Sequence, residues 1–244
     1  MITAPPESAL ARLRRRSPAV LALLTATVIV FAAQQASYWM TGTDLVLEWG
    51  KKDSGALRAG ELWRLITPVF IHAGALHLLV NMYSLYAIGP AVERFFGRAR
   101  LLVVYLLAGV AGVILSLAFN PAPSVGASGA IFGLLGALTA FLLQHRPVFG
   151  PAARAQLRQI GFLLVLNLVI SLTPGIDAWG HLGGLIAGAA CAALFGPRLG
   201  VVPAEDGTTH LVDTRRWPAV RRRAAGAALA VLAVAAMAIL TLNG

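Results

Sequence analysis

Four side chains of this sequence have the types and spacing for acyl-transfer chemistry: Ser128 within Gly126-Ala-Ser-Gly129, His181, and the pair His77 and Asn81. A serine hydroxyl becomes a nucleophile when a neighbouring imidazole takes its proton. The oxyanion that follows is stabilised by N–H donors from an amide, an imidazole or the backbone. Ser128 opens an apolar run behind an uncharged loop, which places it at a helix N-terminus where first-turn N–H groups have no intrahelical partner. Gly126 and Gly129 leave the hydroxyl uncrowded. The same pattern describes a serine that only caps its helix. The choice between them depends on whether the fold brings His181, His77 and Asn81 to Ser128.

The medium in which these residues must meet is a lipid bilayer. Of the 244 residues 58% are hydrophobic and 12% charged, with a mean hydropathy of +0.75, a composition foreign to soluble domains. The net charge of +10 does not point to nucleic acid, because the arginines fall in short clusters between apolar runs, as cytoplasmic Lys and Arg do in membrane proteins. Cys191 is the only cysteine and sits in an apolar run, which excludes a disulfide framework and a zinc site and leaves it a packing role. No metal and no cofactor is expected. The basic N-terminus leads into an apolar run too long for a signal peptide, so that run is expected to stay as an anchor.

Seven spans are expected. The first covers 19–39, close to the 20 residues that a hydrocarbon core requires, and ends at Tyr38 and Trp39 as an interfacial belt. A loop over 40–75, rich in aromatic residues, lies at the interface. Spans follow over 76–96, 101–119, 128–143, 156–172, 176–195 and 224–242. The fifth is continuously apolar only over 160–172 and is short for a crossing. Charge supplies the argument for it: with seven crossings, sixteen of the twenty Lys and Arg fall on the side of the N-terminus, whereas without the fifth the cluster 215–223 would lie outside. The organisation expected is a cytoplasmic tail over 1–18, a six-helix core over 19–196, a cytoplasmic linker over 197–223, and a seventh helix with the C-terminus, outside, over 224–244.

This topology brings the four polar residues to one depth. Ser128 stands at the outer end of span four, His181 about one turn into span six, and His77 and Asn81 one turn apart on one face of span two. Polar side chains inside a bilayer are costly and face a protein interior or a water-filled cavity. Gly129 and Gly133, with Gly180, Gly184 and Gly188, have the four-residue spacing that lets two helices approach closely. Phe132, one turn below the serine, is placed to fix the imidazole plane or to make a plain lipid or core contact. His72 is placed to hold water near the site, and Asp177 is read as the cap of span six, while His145 and His210 are expected at the cytoplasmic surface.

Trp63-Arg64, His77-x-x-x-Asn81, Gly126-Ala-Ser128-Gly129 and His181-x-x-Gly184-x-x-x-Gly188, in this order, resemble the rhomboid family of intramembrane serine proteases over residues 19–196. Each motif alone is weak; the set is specific. The resemblance implies an all-α polytopic membrane protein with a six-helix rhomboid-like core plus one C-terminal transmembrane helix. It further implies a Ser128–His181 dyad in a cell membrane that cuts transmembrane segments of other membrane proteins. Gly180 stands where the family often has alanine, a small-for-small change. The alternative, a non-catalytic rhomboid-like protein that binds membrane clients, is disfavoured by the presence of both Ser128 and His181. A transporter is disfavoured because the polar layer lies far from the midplane and no repeat is visible.

Overall fold

The computed structural model, which describes residues 9–171, 173–203 and 209–241, contains helices over all seven apolar segments. They are α2 (Pro18–Thr41), α5 (Ala75–Phe96), α6 (Arg98–Phe119), α7 (Ser128–Gln144), α8 (Arg146–Ile170), α9 (Ala178–Phe195) and α10 (Trp217–Thr241). Five of these, α2, α5, α6, α9 and α10, are long and apolar enough to cross a membrane among the described residues; α7 is apolar but has 17 residues. The protein is thus an all-α polytopic membrane protein. α8 starts earlier than its apolar stretch suggests and carries Arg146, Arg154 and Arg158 in its first half. Its turns break at Gly150 (φ 52°, ψ −127°), a left-handed conformation that glycine adopts without penalty. Pro151 then restarts the helix, where its missing N–H costs nothing.

The tail expected to lack structure is helical over α1 (Ala9–Arg16); residues 1–8 lie outside the described part. α10 begins at Trp217, seven residues before the apolar run. Between α9 and α10, within the expected linker, β1 (Leu199–Pro203) and β2 (Thr209–Asp213) form an antiparallel hairpin with Val201 opposite Leu211. Buried Arg100 at the start of α6 holds this hairpin through an ion pair to Asp213 (2.7 Å) and a hydrogen bond to the Arg215 carbonyl. The loop over 40–75 folds into α3 (Leu45–Gly50), α4 (Ser54–Arg58) and two short 3-10 turns.

The core forms where α6, α7 and α9 meet. α7 packs most extensively against α9, and α6 covers both, so that Leu134, Ala137, Leu138 and Phe141 of α7 are buried. Glycines let this happen. A Cβ at Gly184 would lie 1.9 Å from the Gly129 carbonyl oxygen, one at Gly188 1.9 Å from that of Gly133, and one at Gly112 of α6 2.6 Å from that of Gly180. With no side chains in the way the backbones touch, which is how helices associate in lipid without a hydrophobic driving force. α2 joins this core partly through a buried carboxylate: Glu93 of α5 accepts from the N–H groups of Ala19 (3.0 Å) and Val20 (2.9 Å). It thereby satisfies two of the unpaired donors at the start of that helix.

Candidate active site

Ser128 does not cap α7. The N-cap is Ala127, and the Ser128 Oγ instead lies 2.8 Å from Nε2 of His181. The imidazole is stacked on the Phe132 ring, with centroids 4.4 Å apart and planes 9° from parallel, so its swing about χ2 is blocked on one face. Of the two readings left open for Phe132, the ring against the imidazole is therefore the one observed. His181 is one turn into α9, and the Gly184–Gly129 contact one turn on sets the gap between the two helices.

The loop before Ser128 is shaped by Gly126, whose φ of 127° is unfavourable for other residues. A Cβ there would also lie 2.8 Å from the His77 ring. His77 is thus pressed against the backbone two residues before Ser128. Asn81, one turn along α5, is buried and donates one amide hydrogen to the His77 carbonyl oxygen at 2.9 Å, with a second N–H remaining. Ser128, Gly126, Gly129, Gly112 and His181 line one pocket with Asp177.

His72 is fully buried. Its N–H donates to Gln34 Oε1 (3.0 Å), and its Nε2 faces the Ala127 N–H at 3.5 Å. Burial, with the His77 imidazole beside it as a smaller cause, lowers its pKa to about 4, so it is neutral at physiological pH. It braces the loop that carries Ser128. His145 is not a surface residue as expected: it is buried, its Nδ1 is 2.8 Å from the Phe141 carbonyl oxygen and its Nε2 accepts from the Leu199 N–H at 3.0 Å. His210 is exposed on β2. Cys191 is buried in the core.

Asp177 is the N-cap of α9 and accepts from the Gly180 N–H at 3.0 Å. Unforeseen is what holds it. Lys52, completely buried, donates to Ser116 Oγ (2.6 Å) and to the Asn120 carbonyl oxygen (2.7 Å), and Ser116 Oγ in turn donates to Asp177 Oδ2. The Lys52 N–H also bonds the Ser124 carbonyl (3.0 Å), so one lysine ties the first loop to α6, to the segment before Ser128 and to the start of α9. Burial pulls the Lys52 pKa down against the pull of Asp177 and Asp53. Burial also pushes the Asp177 carboxyl up, but hydrogen bonds from Ser116, Ser124 and Gly180, with the Lys52 charge, outweigh it and hold it below the usual carboxylate range. Trp63 and Arg64 serve the same loop: Trp63 stacks on Trp49 (5.5 Å), and Arg64 donates to the carbonyls of Glu48 and Lys51.

Fold and site together describe a helical membrane bundle with a serine–histidine pair where three helices converge. A family model described as the Rhomboid domain matches residues 59–198. The chain is 41% identical over 179 residues to "Rhomboid protease GluP" of Bacillus subtilis (strain 168), covering 71% of this chain and 34% of that protein. It is 42% identical over 136 residues to "RHOMBOID-like protein 1" of Arabidopsis thaliana, covering 55% and 35%. To "RHOMBOID-like protein 6, mitochondrial" of the same plant it is 39% identical over 143 residues, covering 58% and 45%. The chain belongs to the rhomboid family. It spans between a third and a half of the length of these relatives.

Proposed function

We propose that the protein is an intramembrane serine endopeptidase that cleaves transmembrane segments of other membrane proteins within the bilayer. The observation that carries this reading is the 2.8 Å contact between Ser128 Oγ and His181 Nε2, with the imidazole held by Phe132. In the reaction Ser128 Oγ attacks the scissile carbonyl carbon while its proton passes to His181 Nε2. The tetrahedral intermediate then collapses as His181 returns that proton to the leaving amine, which leaves an acyl-serine. A water molecule, deprotonated by the same imidazole, releases the carboxylic acid and restores Ser128. The negative oxygen is met by the Ser128 N–H, Asn81 and His77, donors worth several kcal/mol in a site removed from bulk water. The arginine asymmetry supports a cell-membrane protein with its N-terminus in the cytoplasm and its C-terminus outside, which puts this site towards the outer face.

The test is covalent labelling of the full chain in liposomes with a serine-directed fluorophosphonate, beside cleavage of a fluorescent transmembrane peptide. Wild type is expected to be labelled and to shorten the peptide, and Ser128→Ala to do neither. Labelling that survives Ser128→Ala overturns the assignment.

A further inference from the structure

An imidazole can take the proton of Ser128 only if its Nε2 carries a lone pair, so something must keep the ring hydrogen on Nδ1. The nearest acidic residue in sequence, Asp177, accepts instead from the Gly180 N–H and from Ser116 Oγ. The group at Nδ1 is Ser171, the residue that ends α8, whose Oγ lies 2.7 Å from His181 Nδ1. Ser171 is buried, with 5% of its surface exposed. Its hydroxyl also lies 2.7 Å from the Asn167 carbonyl oxygen, which accepts the Ser171 N–H as well at 2.8 Å.

The two contacts of the Ser171 hydroxyl point to one tautomer. A carbonyl oxygen only accepts, and its two lone pairs serve the two donors of Ser171. With its single hydrogen directed at the Asn167 carbonyl oxygen, Oγ presents lone pairs alone towards the ring. In that arrangement Nδ1 is the protonated nitrogen. Nε2 is left unprotonated, 2.8 Å from Ser128 Oγ.

We infer that Ser171 is a positioning residue of the site: as a neutral acceptor it fixes the His181 tautomer and ring orientation, and keeps a partner on Nδ1–H when the imidazole becomes charged. It touches neither substrate nor the scissile bond and acts only through His181. This rests on the protease reading above. It completes a relay from the end of α8 through α9 to the start of α7, using an uncharged hydroxyl where an aspartate would have to be buried at far greater cost.

The experiment compares wild type, Ser171→Ala and Ser171→Thr as full chains in liposomes, with Ser128→Ala as the unreactive reference. It reads the fluorophosphonate labelling rate, kcat and KM for the transmembrane peptide, and the melting temperature in detergent. An ill-set tautomer in a triad costs about 10⁴ when a buried carboxylate is replaced; for a neutral partner the expected loss is about 10- to 100-fold in labelling rate and in kcat. KM should stay within about twofold, since the group acts on proton transfer and not on substrate binding. Ser171→Thr, which restores the hydroxyl, should recover most of the rate, a rescue that a purely packing role would not give. Ser171→Ala labelled and turning over at the wild-type rate would overturn the inference, as would equal losses in the Ala and Thr variants. If Ser171→Ala yields no folded protein, Ser171→Cys and Ser171→Thr are compared in its place: a thiol is a poor acceptor, so equal rates overturn the inference. Wild type that is not labelled at Ser128 would remove the protease reading itself, and with it any base for Ser171 to position.

Discussion

The close approach of α7 and α9 makes a quantitative prediction for Gly184→Ala. The methyl carbon would sit 1.9 Å from the Gly129 carbonyl oxygen and 2.7 Å from its carbon, whereas ordinary contact begins at 3.4 Å. Both atoms belong to backbone and neither can rotate aside. The helices must therefore separate by about 1 Å or more even if the methyl slides past the oxygen. Gly129 follows Ser128 directly and Gly184 lies one turn beyond His181, so the separation falls on the 2.8 Å Ser128–His181 contact and takes it out of hydrogen-bond range. A misplacement of about 1 Å costs about 10²-fold in rate, and loss of the proposed general base adds to it, so the expected fall in kcat and labelling is about 10² to 10³. Gly188→Ala meets the Gly133 oxygen at the same 1.9 Å but one further turn, about 6 Å, from the histidine; its loss should be smaller. Gly161→Ala in α8 meets nothing within 4 Å and gains about 1 kcal/mol of helix propensity, so its activity should match wild type. The assay is peptide cleavage in liposomes, with monodispersity in detergent checked for each variant. Wild-type turnover in Gly184→Ala, or a larger loss in Gly188→Ala than in Gly184→Ala among folded variants, would refute the reasoning.

Two further outcomes are expected. Under the oxyanion role proposed above, Asn81→Ala and His77→Ala should each lower kcat by about 10² to 10³ while KM changes little, as for donors to charge that develops only in the transition state; wild-type cleavage by both would make them structural. A reporter fused after Gly244 should be found outside and one inserted at Gly207 inside; the reverse pattern would contradict the orientation.

What could be read from the sequence was whatever periodicity and punctuation encode locally. Ser128, His181, His77 and Asn81 stand out because polar residues in apolar runs are expensive, and the glycine spacing in the two helices announces a close approach before any coordinates. The details that needed the fold are those whose partners are far apart in sequence. Lys52 gives no local sign that it is buried: beside Lys51 and Asp53 it reads as a solvated loop residue, and only the return of the chain at Ser116 and Ser124 encloses it. Glu93, close to Arg94, reads as a surface charge until the start of α2 is placed over it. The pairing of β1 with β2 was hidden for a different reason: the strands are short, and what anchors them is Arg100, about 100 residues earlier.

Ser171 shows most sharply where local reading ends. Nothing local marks Ser171, and its chemistry depends on which of two groups, the Asn167 carbonyl or the His181 ring, receives one hydrogen, a matter of angstroms. Asp177, four residues from His181 and negatively charged, is the partner that proximity in sequence suggests; its oxygens instead cap α9 and accept from Ser116. Ser171, ten residues away across a turn, reaches the ring because α8 ends just where α9 presents it. The division is physically sensible. A carboxylate at a helix N-terminus is stabilised by the unpaired N–H groups there, while beside the imidazole it would have to be desolvated in the membrane interior. A hydroxyl supplies the one lone pair that the neutral tautomer needs, without burying a charge.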